Sequence, residues 1–319
     1  FCPVRKKPKF THKAGCIVMY NNFQDVLAAL RGRNRLVIAV AVAQDEPVLA
    51  AIKMAYDRDL ATAVLVGDAE KIKHLIPTVG LPPDTPVLHE PDDAAAAATA
   101  VALVKSGQAQ VLMKGLVNTA VFMKAILKAD TGLRSGRMIS HVSAFEIPGE
   151  EKLLFLTDVA LNIAPSLEEK RDILLNAMHM LRDIGLTNPN VAILASNEVV
   201  SDKMPATVDA QALVKMSTEG VFPPGTVEGP LAMDVIAREE AANHKGIRSK
   251  IAGKVDLVLV PHIDTGNAVT KTLTHYAGAK FAGIVVGAAN PVVVTSRAET
   301  AEGKLFSIAL ALLAYQGKQ

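Results

Sequence analysis

The run Leu36-Val-Ile-Ala-Val-Ala-Val-Ala43 constrains this chain more than any other stretch. Eight consecutive apolar residues leave no polar face for water, so a strand here must be covered on both sides. Gln44-Asp45-Glu46-Pro47 follows at once and starts a helix, with proline near its first turn, where a missing N–H costs nothing. The pattern repeats. Ala63–Val66 reads as a strand ending at Gly67-Asp68 and leading to a helix over 69–75. Val87-Leu88-His89 is a weak third strand, and Pro91-Asp92-Asp93 opens an alanine-rich helix that Gly107 closes. Gln110–Met113 is a fourth strand, and Asn118-Thr119 can cap the helix that follows, to about Ala129. Four strand–helix units in one direction predict a parallel sheet with right-handed crossovers. Ligands of such sheets sit beyond the carboxyl ends of the strands, where Lys114, Gly115, Asn118 and Thr119 fall. A solvated turn with an ordinary cap would read the same way.

The second half follows a loop containing Arg134, Arg137 and two glycines, which suits an anionic ligand at a mobile hinge, although spacing alone favours two solvated arginines. Met138–Ile147 and Lys152–Asp158 read as strands joined by a turn at Pro148-Gly149, and a domain change is expected near residue 138. Ser166 and Glu169 have the spacing of a capping box and open a helix to about Ile184. Val191–Leu194 and Val255–Val260 are strands, Val227–Pro230 a strand-to-loop element, and Val208–Thr218, Leu231–Ala242 and Ala268–His275 helices. Near the C-terminus Phe281–Val286 is a buried strand that a Gly-Ala-Ala-Asn-Pro turn breaks and Val292–Val294 resumes. Ser296 and Arg297 then open the last helix, with Leu305, Ile308, Ala309 and Leu312 at helical spacing and Glu299 completing a second capping box. A hydroxyl, a guanidinium and a helix N-terminus together can receive an oxyanion or a phosphate. The plainer reading is a serine that caps and an arginine that solvates the first turn.

Half of the 319 residues are hydrophobic and none is tryptophan, so Ala, Val, Leu and Ile fill the interior of what is long enough for two domains. The longest apolar runs are far too short to span a bilayer. Residues 1–18 carry five cations and no acid, without the apolar stretch of a secretory signal, and read as a non-native or disordered extension. Without those five, 29 basic groups face 32 acidic ones, a net charge near −3 instead of +2. That balance gives no case for nucleic acid. Both cysteines, Cys2 and Cys16, lie in the extension, which excludes a thiolate metal site or a cysteine nucleophile beyond it and suits the cytoplasm. The eight histidines show no metal-ligand spacing.

Five separated segments occur in a fixed order: Lys114-Gly115 with Asn118-Thr119; Ser140-His141-Val142; Glu228-Gly229-Pro230-Leu231 with Asp234; Asp264, Gly266 and Asn267 with Lys271; and Thr295-Ser296-Arg297. In this set the chain resembles the phosphate acetyl/butyryl transferases along nearly all of residues 19–319. The Gly-Pro-Leu-Ala-Met-Asp segment and the Ser-Arg-Ala-Glu-Thr-Ala-Glu-Gly-Lys ending favour the butyryl branch. The resemblance implies a fold like that of the isocitrate and isopropylmalate dehydrogenases, with two three-layer α/β domains flanking a cleft. Residues 19–138 with about 291–319 would form the first domain and 139–290 the second. It implies a homodimer or higher homo-oligomer. The implied reaction is butanoyl-CoA plus phosphate going reversibly to butanoyl phosphate plus CoA, with coenzyme A as substrate and no bound cofactor or metal. Acetyl-CoA is the alternative substrate. By the same resemblance Ser296 meets the sulfur, Arg297 the phosphate and developing oxyanion, and Glu302, ahead of Glu299, takes the thiol proton. Lys114, Gly115, Asn118, Thr119, Arg134, Arg137, Ser140, Asp264, Gly266, Asn267 and Lys271 would bind CoA or phosphate. A nicotinamide-dependent dehydrogenase would need clustered carboxylates around a metal, and no such cluster stands out. A non-catalytic acyl-CoA sensor would have no particular need for the Ser-Arg pair.

Overall fold

The computed structural model describes residues 19–296 and 299–318. The 1–18 extension and Arg297 lie outside them. The first half runs α1 (Phe23–Ala29), β1 (Leu36–Ala41), α2 (Glu46–Asp57), β2 (Ala61–Gly67), α3 (Ala69–Val79), β3 (Val87–His89), α4 (Asp93–Lys105), β4 (Val111–Lys114) and α5 (Thr119–Leu127). Next come β5 (Ser140–Glu146), β6 (Leu154–Thr157), α6 (Leu167–Asp183), β7 (Asn190–Leu194), α7 (Pro205–Thr218) and β8 (Thr226–Leu231). The chain ends with α8 (Met233–Ala237), α9 (Glu239–Lys245), β9 (Leu257–Leu259), α10 (Ile263–His275), β10 (Lys280–Val286), β11 (Val292–Val293) and α11 (Ala301–Gly317). No helix among the described residues is long and apolar enough to cross a membrane.

All described strands join one mixed sheet in the order β3-β2-β1-β4-β11-β10-β5-β6-β9-β7-β8. The pairs among β1 to β4 are parallel, as the four strand–helix units require. β5 and β6 form the expected antiparallel pair. β10 runs antiparallel to both β5 and β11, at the middle of the sheet. Strands from 36–114 therefore sit together with β11, and strands from 140–286 sit together beyond it.

Alternation decides what covers each face. Ile38 and Val40 of β1 point into one apolar cluster, Ala39 and Ala41 into another, so the Leu36–Ala43 run is buried on both sides. On the first face that cluster is continuous across both halves: residues of α2, α6, α7 and α11 meet Val142, Ala144, Ala282, Ile284 and Val286. On the second face two clusters stand apart. One packs α4 and α5 on Leu112, Val285 and Val292, and the other packs α8, α9 and α10 on Phe145, Leu156 and Val258. The gap between them lies over β5 and β10.

Three helices differ most from expectation. α10 starts at Ile263, five residues before the expected Ala268, so Asp264, Gly266 and Asn267 lie in the helix and not in the loop before it. The single helix foreseen over 231–242 is two, because Arg238 takes an extended conformation (φ −142°, ψ 128°) between α8 and α9. The last helix starts at Ala301, not at Ser296. Its N-cap is Thr300, whose hydroxyl accepts from the Gly303 N–H at 3.1 Å. Ser296 and Glu299 therefore do not cap this helix, and the Glu299 carboxyl oxygens are buried. The capping box at Ser166 and Glu169 is present as read. α11 is buried on all sides from Gly303 to Ala314, not along one stripe, which marks an interior helix. It packs on α1, α2 and α6 and on β4, β10 and β11, so it fastens the two halves together.

Candidate functional site

The gap between the second-face clusters is a cleft of about 570 Å³. Its floor is the middle of the sheet. Phe281, Gly283 and Val285 of β10 alternate toward it, beside His141 and Ser143 of β5. The His141 ring lies across Gly283: a Cβ there would stand 2.7 Å from its Cε1 and Nε2. His141 is buried, and burial holds its imidazole below the ordinary histidine range, with Asp158 opposing. Ser143 Oγ lies 3.2 Å from His141 Nδ1.

One wall is the loop after β6, Val159 to Leu161. Asp158 builds it. Its Oδ1 accepts from the Ala160 and Leu161 N–H groups (2.8 and 2.9 Å), its Oδ2 from the His141 N–H and the Asn162 amide (3.0 and 2.7 Å). The next wall is α10, which contributes Asn267, Thr270 and Lys271. Asn267 and Lys271 are one helical turn apart and so share a face. The opposite side is the β11–α11 segment, with Thr295, Ser296, Glu299, Thr300, Glu302 and Gly303, and Thr119 reaches in from the start of α5. Lys304 ties that segment down: its buried ammonium donates to the Ser296 carbonyl at 2.7 Å and to Thr295 Oγ1 at 3.3 Å. Burial lowers the Lys304 pKa, against the pull of Glu299 and Asp45.

Of the residues singled out in the sequence, Ser296, Glu302, Thr119, Asn267 and Lys271 line this cleft. Gly266 stands behind it, where its lack of a side chain lets α10 approach Val159 and Val260. Lys114 is buried at the end of β4, with its ammonium 3.3 Å from the Gly115 carbonyl, and the Gly115 N–H bonds the Ala41 carbonyl. Neither reaches the cleft lining. Asn118 caps α5 through the Ala120 N–H at 2.8 Å. Asp264 is exposed in the first turn of α10 and faces elsewhere. Ser140 points to the other face of the sheet and meets the Asn176 amide at 3.1 Å. Arg134 bridges to Ala288. Arg137 lines a separate polar cavity with His179, Arg182, Asp183 and Lys318, between the C-terminal ends of α6 and α11. Sequence spacing could not separate the two cavities, because their lining residues come from segments far apart in the chain.

Sequence reasoning passed over Asp158, Lys304 and the part His141 plays. His141 stood inside a quoted motif without a role, and Asp158 is a charge at the carboxyl end of a strand, a signal that could have found it. The sequence favours Glu302 over Glu299, yet both carboxylate oxygens of Glu299 are buried.

The family model described as Phosphate acetyl/butaryl transferase matches residues 87–312. A phosphate butyryltransferase of Clostridium acetobutylicum is 46% identical over 296 residues, 92% of this chain and 98% of that protein. A phosphate acetyltransferase of Rhizobium meliloti is 40% identical over 92% of this chain and 93% of its own length. Among solved structures, a branched-chain phosphotransacylase from Enterococcus faecalis superposes with a TM-score of 0.79 at 33% identity, over 88% of this chain and 99% of that one.

Proposed function

The chain belongs to the phosphate acetyl/butyryl transferase family, and from that premise we propose that it transfers a butanoyl group between coenzyme A and inorganic phosphate. One observation carries the reading. Thr119, His141, Asn267 with Lys271, and Ser296 come from four distant segments and meet in one cleft between two apolar clusters. Asn267 and Lys271 offer an amide and a cation to phosphate groups. Ser296 is the hydroxyl for the sulfur, and Arg297, beside it in sequence, the guanidinium for phosphate and oxyanion. Coenzyme A is substrate, and no resident cofactor is needed. The apolar lining at Val159, Leu161, Val285 and Val294 suits a short acyl chain. Each buried CH2 contributes about 0.8 kcal/mol, roughly threefold to fourfold per methylene, which favours butanoyl over acetyl.

The strand order supports two α/β units, 19–138 with 291–319 and 139–290, meeting at the β10–β11 pair. Such units would bring the two substrates together from opposite walls. Holding both in attack geometry can supply up to about 7–11 kcal/mol in the best cases. With no cysteine beyond residue 18 and no nucleophile elbow at Ser296, phosphate attacks the thioester directly in a ternary complex. Thiol release from butanoyl-CoA should depend on phosphate, and two-substrate initial-rate plots should intersect. Parallel lines, or a labelled acyl group left on the protein after CoA is removed, would replace direct transfer by a covalent route. A higher kcat/KM for acetyl-CoA than for butanoyl-CoA would reverse the acyl preference.

A further inference from the structure

We propose that Glu299, and not Glu302, takes the proton from the CoA thiol when the cleft runs toward acyl-CoA. The inference rests on the acyl-transfer reading and names its base. Among the described residues, the buried side-chain polar atoms without a hydrogen-bond partner belong to His179, Thr270 and Glu299. Thr270 and Glu299 face each other's side of the same cleft, on α10 and on the β11–α11 segment. The Ser296 backbone N–H acts on the Glu299 carboxyl, but no side-chain donor among the described residues bonds it. A buried carboxylate so poorly satisfied is costly to a fold, and that cost is accepted where a ligand completes the bonding. Room for it is kept deliberately: a Cβ on Gly303 would stand 2.7 Å from Glu299 Oε1 and 2.9 Å from its Cγ. Glu302 sits exposed on the first turn of α11, where water and the helix N-terminus satisfy its charge without any ligand.

The groups around Glu299 are Lys304 on α11 and Lys271 on α10, with His275, Lys280, His141 and Glu302 also on the cleft and Asp45 acting on Lys304. Burial prevails over the Lys304 charge, the Ser296 backbone N–H and the Lys271 charge, and pushes the Glu299 pKa up to about 7. A base poised near the working pH is the efficient one. In the transfer step the thiol S–H breaks and its proton passes to the Glu299 carboxylate. The sulfur electron pair forms the S–C bond at the acyl carbonyl. The C–O bond to phosphate then breaks, and its electron pair leaves on the phosphate oxygen. In the reverse direction protonated Glu299 returns the proton to the departing thiolate.

Purified wild type, Glu299→Gln and Glu302→Gln are compared from pH 5.5 to 9 with butanoyl phosphate and CoA, following thioester formation. Wild-type kcat/KM should rise with pH through about 7. Glu299→Gln should lose at least about a hundredfold in rate and the rising limb with it, whereas Glu302→Gln should keep the limb. Loss of the limb in Glu302→Gln with its survival in Glu299→Gln overturns the assignment. Wild type without any transfer activity sinks the acyl-transfer reading itself, and the two failures are told apart by that control. Stability supplies a readout independent of turnover. The folded carboxyl holds its proton to about 7, while the unfolded one releases it near the ordinary 4.5. Between those values the unfolded state binds fewer protons, so wild-type stability falls as pH rises, and Glu299→Gln should lack this component of the slope. Identical slopes in the two proteins would mean that Glu299 is not the buried orphan and would overturn the proposal too.

Discussion

Two side chains in the cleft, His141 and Glu299, owe their room to glycines, Gly283 and Gly303. Gly283 leaves the space that the His141 ring fills, and its backbone lies outside the positive-φ region, so alanine is conformationally acceptable there. The methyl group would collide with the ring, at an overpacking cost of typically 1–3 kcal/mol. We expect Gly283→Ala to lower the thermal midpoint moderately and kcat/KM by about tenfold or more, since a displacement of even 1 Å is felt by the chemistry. An unchanged kcat/KM would mean that the ring only fills the floor. The serine beside it, Ser143, fixes which imidazole nitrogen faces the cleft by holding Nδ1.

At the scale of elements, the segment from β11 to α11 is the part of the fold that carries most of the candidate chemistry. Val292–Val293 is clamped between β4 and β10, and Thr300 starts the helix eight residues after the strand's first. Between these fixed points Lys304 reaches back over Ser296. Removing the cap should therefore act on activity through position. Thr300→Ala is expected to cost about 1 kcal/mol of stability and to raise KM more than it lowers melting, because the first turn that carries Glu302 and Gly303 frays. Urea titration beside steady-state kinetics checks this, and a cap loss with no kinetic effect would show that the loop is held by Lys304 alone.

For the whole molecule, one face of the sheet is covered by a single apolar cluster and the other by two. Leu305 to Ala314 of α11 belong to the shared cluster, together with α2 from the first half and α6 from the second. Neither half buries that face without the other. We therefore expect one cooperative unfolding transition in urea, with far-ultraviolet circular dichroism and tyrosine fluorescence coincident. Two resolved transitions would favour two units that fold independently, each with its own core.

Periodicity in the sequence determined the elements and their class. The apolar run at Leu36–Ala43 had to be covered twice, and Ile38 and Ala39 do lie in different clusters. The four parallel units, the β5–β6 hairpin and the box at Ser166 follow from local chemistry acting within a few residues. The gathering of Ser296, Asn267, Lys271 and Thr119 was legible only as an ordered set of motifs, because no window of sequence contains them. Tertiary structure alone decided the rest. Arg137 and Ser140 follow each other closely in sequence, yet neither lines the cleft with Ser296, since Arg137 lines the cavity beside α6 and Ser140 meets Asn176 of that same helix, on the sheet face away from the cleft. Ser296 did not become a cap, and the Glu299 carboxyl oxygens are buried while Glu302 is exposed, for one physical reason. Desolvation of a carboxylate depends on walls supplied by α10 and the sheet, many residues away, and a local spacing such as S-x-x-E carries no information about them.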